Sequence, residues 1–319
     1  MTVQPIHSPQ DLKRERRRVL WRNARRNYDL YLFLLPTILY FLIFHYGPMY
    51  GVQIAFKDFK ESKGIWDSPW SSPLFYHFQR LFRTPMFRMV LRNTITLSLY
   101  SLAFGFFPPI ILALMLNQVE NLRFKKFVQT VSYAPHFITT VVMASLLYCL
   151  LSTSNGIVNS LLEAVGIGRI PFMRDAKYFR SVYVASGIWQ EMGFSAIIYI
   201  AALSSINPEL HEAALIDGAN KIQRIWNIDI PGILPTVTIL LILRSGSIMG
   251  VGFQKVYLMQ TSLNLPTSEV ISTYVYKVGL EQANFSFASA VGLFNSVVNF
   301  IMIMLVNFFA RRFSETSLW

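Results

Sequence analysis

Cysteine is almost missing: Cys149 stands alone among 319 residues, which excludes an intrachain disulfide and any thiolate metal cluster. No Gly-Lys dipeptide occurs anywhere, so the chain lacks the G-x-x-x-x-G-K-[ST] loop whose backbone amides cradle nucleotide phosphates. It also lacks a nucleophile elbow and an H-E-x-x-H pair of zinc ligands, and its five histidines are scattered. No enzyme site, metal site or cofactor site is expected in this chain. Charge is scarce as well. Only 14% of residues are Asp, Glu, Lys or Arg, too few to cover a water-soluble globule of this length.

What fills the space is apolar: 53% of residues are hydrophobic and 15% aromatic. Six segments stand out, 30–51, 93–116, 128–150, 181–203, 233–254 and 287–310, each 22 to 24 residues long. Each reaches across about 30 Å of hydrocarbon at about 1.5 Å per residue. Helices satisfy their own backbone within each segment, so the expected fold is an all-α membrane protein with six transmembrane helices. The first segment is not expected to be a signal peptide. It starts at residue 30, is too long, contains Pro36, and no small-x-small cleavage pattern comes after it.

The surplus of 29 Lys and Arg over 17 Asp and Glu gives a net charge of +12. Eight basic residues precede residue 30: Lys13, Arg14, Arg16, Arg17, Arg18, Arg22, Arg25 and Arg26. The stretch 1–29 reads as a basic cytoplasmic tail lying on anionic lipid; nucleic acid is the weaker reading for charges set directly before a span. This bias predicts that both termini, including the tail 311–319, are cytoplasmic. The first connection, 52–92, carries seven basic residues on the expected outer side, which a long translocated loop tolerates. Its Trp66, Trp70, Phe75, Tyr76 and Phe78 suit an interfacial aromatic belt or a protein contact.

The connection between the fourth and fifth segments is the most structured. Asn207 suits an N-cap, Pro208 the first helical position, and Glu209 the positive end of a helix. Gly218 can end that helix in a left-handed conformation. Residues 219–228 then resume helical spacing, and Pro231 is expected to stop them, giving two short helices at the membrane surface. Unlike the chain as a whole, this segment is acidic: Glu209, Glu212, Asp217 and Asp229 face only Lys221 and Arg224.

Glu212-Ala213-Ala214, then Gly218, then nine residues to Ile228, then Pro231 together resemble the EAA motif of permease subunits of binding-protein-dependent ABC importers. The one departure is Ile230, where that family often has Leu. The stretches 77–98, 189–203 and 244–258 resemble the same family, and the last two look like its carbohydrate branch, including the alginate and rhamnogalacturonan systems. The resemblance covers most of residues 30–310. It implies a type I importer (MetI-like) permease domain over 30–310, a second homologous permease, an extracytoplasmic solute-binding protein, an oligosaccharide substrate and a place in the bacterial inner membrane. It further implies two ATPase subunits that hold ATP and Mg and dock on a coupling segment, 207–232. Glu212 would make a charged contact there, while Ala213, Ala214, Asp217, Gly218, Ile228 and Pro231 complete the surface.

Two ionisable residues fall deep within expected spans, Glu191 and Arg244, each about 15 Å from its end at helical rise. A charge there is costly, so each faces a partner, the bundle interior or water. Either they pair with each other, or Arg244 lines the translocation path and meets an anionic or polyhydroxylated sugar. The resemblance makes Ser245, Ser247, Met249, Gln254 and Asn295 further candidates for that path; small Gly246, Gly250 and Gly252 suit close packing. His136, alone in the third segment, reads as a packing histidine. The reading from another class is an ion-gradient-driven secondary transporter or channel, which predicts inverted repeats with broken helices. A non-transporting membrane scaffold would leave the EAA pattern unexplained.

Overall fold

The computed structural model describes residues 22–23, 25–246 and 248–313. Lys13, Arg14, Arg16, Arg17, Arg18, Ser247 and residues 314–319 lie outside the described residues, so most of the basic tail does too. Regular structure is helical throughout the described residues, apart from one isolated antiparallel bridge, Lys57 to Trp70.

Helix α1, Tyr28–Phe56, runs through a π turn at Leu42–Tyr46 and ends where Lys57 turns extended. A short amphipathic helix α2, Tyr76–Arg83, buries His77 and Leu81. After extended Thr84, Pro85 takes the first helical position of α3, Pro85–Asn117. The third expected span is two helices: α4, Leu122–Phe137, and α5, Thr140–Leu150, meet at 101°. Asn121 caps α4 by accepting from the Arg123 and Phe124 amides at 3.0 and 3.1 Å. Pro135 tightens its end into a 3-10 turn; Ile138 and Thr139 are extended, and the Thr139 side chain caps α5.

Short α6, Ile157–Ala164, precedes α7, Ala176–Ser204, whose N-cap Asp175 accepts from the Lys177 amide at 2.9 Å. Then come α8, Pro208–Ile216, and α9, Lys221–Ser245. Beyond them lie α10, Phe253–Met259, α11, Ile271–Tyr276 with a π turn at Lys277–Glu281, and α12, Phe285–Phe313.

By length and hydropathy α1, α3, α9 and α12 can each cross a membrane, and α4 with α5 makes a fifth crossing if the bent pair is one span. Of the six expected spans, four or five thus meet both length and hydropathy among the described residues. Helix α7 has the length, with 29 residues, but Gln190 and Glu191 dilute its hydropathy. It is central to the bundle, packing on α3, α4 and α9. The fifth expected segment, 233–254, is shifted: α9 begins at Lys221 and ends at Ser245, so Gln254 sits on the separate α10.

Three apolar clusters hold the bundle. Leu81, Phe87, Ile271 and Phe287 form one, Leu97, Phe179, Val256 and Val270 a second, and Ala113, Ala196, Tyr199 and Ile233 a third. Lipid is as apolar as these side chains, so close approach matters more than burial alone. Gly193 shows it: a Cβ there would collide with the Ser132 backbone, and its absence lets α7 and α4 touch.

The end opposite α8 is closed by loops knitted with polar bonds. Ser286 Oγ donates to Lys57 O at 2.6 Å and accepts from the Phe59 amide at 2.9 Å. Asp58 accepts from Ser71 Oγ at 2.7 Å and lies 3.1 Å from His77 Nε2. Lys277 Nζ meets Glu269 Oε2 at 2.6 Å, and Asn264 Nδ2 donates to Met173 O and Met259 O, both at 3.0 Å.

Candidate functional site

Two regions concentrate the residues singled out by the sequence. At one end of the bundle, Asn207 caps α8 by accepting from the Glu209 amide at 3.1 Å. The helix closes as expected: Gly218 has φ +79°, its amide donates to Leu215 O at 3.1 Å, and the Ala219 amide donates to Ala214 O at 2.8 Å. Next comes a reciprocal capping box, with Asn220 and Gln223 exchanging bonds at 2.9 and 2.8 Å.

Beyond the capping box the chain departs from expectation. Residues 221–228 do not form a second surface helix stopped by Pro231; they are the first turns of α9, which runs through Pro231 to Ser245. The π turn at Ile225–Asp229 explains it, because a widened turn takes up a residue that brings no amide donor. Glu212, Ala213, Asp217, Gly218 and Pro231 are exposed, while Ala214 and Ile228 are half-buried. No residue of α8 is buried, and Ile216 is 86% exposed. Apolar side chains in that state await a protein or lipid surface.

The second region is a pair of cavities of about 230 and 300 Å³ between α3, α7 and the turn after α9. They share Ser101, Tyr183, Arg244 and Gly252 on their walls. Arg244 Nη1 donates to Gly105 O at 3.1 Å. Glu191 lies on the same wall, and its Oε2 is 3.0 Å from His136 Nδ1. The His136 ring stacks on Phe194 at 3.8 Å, so the histidine is satisfied as expected, at the α4–α5 bend. Gln190 Nε2 donates to Ile138 O at 2.8 Å, supplying the extended residue between α4 and α5 with the bond that hydrocarbon could not.

Of the remaining path candidates, Met249 is buried in the cluster with Phe87 and Ile271, and Gln254 is exposed on α10. Ser245 is buried and donates to Leu241 O at 2.7 Å. Asn295, half-buried on α12, is not on these walls; Ser247 lies outside the described residues. Gly250 lines the first cavity beside Gly252.

The sequence reading missed Lys255, whose Nζ donates to Tyr183 O at 3.1 Å on the wall with Glu191 and Arg244. Its signal was a lone lysine in the stretch 245–268, which holds no other charged residue. Ser98 Oγ, on the wall of the first cavity, is buried without a hydrogen-bond partner among the described residues. The second cavity thus has a mostly apolar wall that carries two cations and a carboxylate already bonded to histidine.

Residues 109–315 match the family described as "Binding-protein-dependent transport system inner membrane component". This chain belongs to that family. The permease is 42% identical over 307 residues to the polygalacturonan/rhamnogalacturonan transport system permease protein YteP of Bacillus subtilis (strain 168), covering 96% of this chain and 95% of YteP. Protein LplB of the same organism is 41% identical over 302 residues, covering 94% of each. Among solved structures, the permease is similar to a chain of a bacterial ABC transporter involved in the import of the acidic polysaccharide alginate. That match has 44% identity and a TM-score of 0.85, and covers 92% of this chain and 98% of that one. A second structure, the alginate ABC transporter in complex with alginate pentasaccharide-bound periplasmic protein, gives 43% identity and a TM-score of 0.86, covering 94% and 99%. The permease is accordingly a multi-pass protein of the bacterial inner membrane with the permease fold of its family.

Proposed function

We propose that this permease is one of two homologous subunits forming the path of an ATP-driven importer of uronate-containing oligosaccharides. In this reading α7 and the bent α4–α5 pair complete six spans, and both termini and α8 face the cytoplasm. Two ATPases, which hold ATP and Mg, dock on α8. Their closure displaces it, Glu212 meets them as a charged contact, and the spans switch access so that an extracytoplasmic binding protein can release its sugar.

The observation that carries the acidic substrate is the cavity wall: Arg244 and Lys255 stand there against one carboxylate, Glu191, that His136 already engages. Guanidinium and ammonium groups in a low-dielectric setting favour a carboxylate over a neutral hydroxyl. YteP and the alginate transporter, relatives named for acidic polysaccharides, support the same class.

The test is uptake by the assembled importer in vesicles, with uronate and neutral oligosaccharides of equal length supplied in parallel. Arg244→Gln should cut uronate uptake by about tenfold or more, the loss of one charge-assisted contact, with the complex still assembled. Uptake of the neutral sugar only, or loss of assembly, would count against the acidic assignment.

A further inference from the structure

A carboxylate lies hidden where three elements meet beside α8. Asp229, on the π turn of α9, is fully shielded from solvent, and it is not among the residues of the EAA pattern. Its Oδ2 accepts from Gln118 Nε2 at 3.0 Å, and its Oδ1 lies 3.4 Å from both Asn117 Nδ2 and His211 Nε2. Asn117 closes α3 with Gln118 just beyond it, and His211 belongs to α8, one residue before Glu212. Arg224, on the first turn of α9, adds a positive charge to the same neighbourhood. A cleft of about 440 Å³ lined by Gln118, His211, Glu212 and Arg224 opens beside it.

A buried carboxylate holds its donors in fixed directions, because any bond it loses exposes charge to a poor solvent. Packing holds α8 only weakly: none of its residues is buried, and Leu210, Leu215 and Ile216 are exposed. The His211–Asp229 contact therefore joins a helix without a core to two spans at once.

We propose that Asp229 is the positioning residue that passes motion of α8 to the spans. Displacement of α8 pulls His211, His211 moves Asp229 and with it α9, and Gln118 and Asn117 carry the same shift to α3. This rests on the reading that α8 receives the ATPase and adds the route beyond it.

The test uses the full importer, permease pair with ATPases, in a Cys149→Ser background. Nitroxides at Leu210→Cys on α8 and Leu243→Cys on α9 should report one narrow distance that stays the same on vanadate trapping with ATP, since the two helices move together. His211→Phe, which leaves the bonds from Gln118 intact, should shift or broaden that distance in the trapped state, as should Asp229→Asn. The double variant should be no worse than either single one, and His211→Gln, which keeps a donor, should restore the parental distance. Unchanged distances in His211→Phe and Asp229→Asn would overturn the proposal. A separate arm tests the docking reading: Ile216→Cys should cross-link to the ATPase, and its failure to do so would strike that reading independently of the distances.

Discussion

The two ends of this permease are built on opposite principles. At the far end, loops from four parts of the chain close over the bundle, and their polar groups find one another: Lys277 with Glu269, Asp58 with Ser71 and His77, Asn264 with two carbonyls. At the α8 end a single helix stands out from the spans with no buried residue and with Leu210, Leu215 and Ile216 exposed. The first end pairs most of its polar groups, although His77 Nδ1 is buried without a partner among the described residues and Trp66 is exposed, whereas the second leaves its apolar and acidic surface for something else. The contrast predicts that damage to the far end is read as lost stability, and damage to the α8 end as a lost partner.

The hardest blow to that contrast is Lys277→Met. It strips the buried Glu269 of its cation and should cost about 3–5 kcal/mol, the range for a buried pair losing one member. Thermal unfolding in detergent should fall sharply, while the folded fraction still retains ATPase. Gly218→Val comes next. A β-branched residue at φ +79° costs about 1–2 kcal/mol and misdirects α8, so ATP hydrolysis should uncouple from uptake or the ATPase should be released. Wild-type transport in that variant would count strongly against the role given to α8. The smallest effect on stability is expected from Ile216→Ser, within about 0.5 kcal/mol because the side chain touches little. Its affinity for the ATPase should nonetheless drop by about tenfold. If Ile216→Ser instead unfolds the protein, the two ends do not differ in this way.

Much of this fold was legible from hydropathy, and the exceptions share a cause. A window of about 20 residues averages over local backbone, so it joined α4 and α5 across Ile138 and Thr139, which are extended. Pro135 and the capping Thr139 were visible signals of the break. The bond from Gln190, which lets the break exist at that depth, was not, because it arrives from another helix. Pro231 misled in the other direction: a proline usually stops a helix, but the π turn before it absorbed the missing donor. At the site, Asn207 and Gly218 acted as read, since caps and left-handed turns depend on residues within one or two turns. Lys255 and Asp229 were missed because their meaning lies in neighbours 64 and 111 positions away, Glu191 on the same cavity wall and Gln118 at the end of α3.

Hydropathy and local motifs are enough to put this chain in a membrane, to span it with helices, and to mark the segment around Glu212 and Gly218 with the family's signature. Those properties follow from transfer free energy and local backbone preference, which each residue carries with it. The meeting of Glu191 with His136, the cavity wall shared by Arg244 and Lys255, and the contacts of Asp229 with α8 and α3 arise from how the helices pack. Charges in a low-dielectric interior must find partners, and which partner lies within reach is set by how the helices cross.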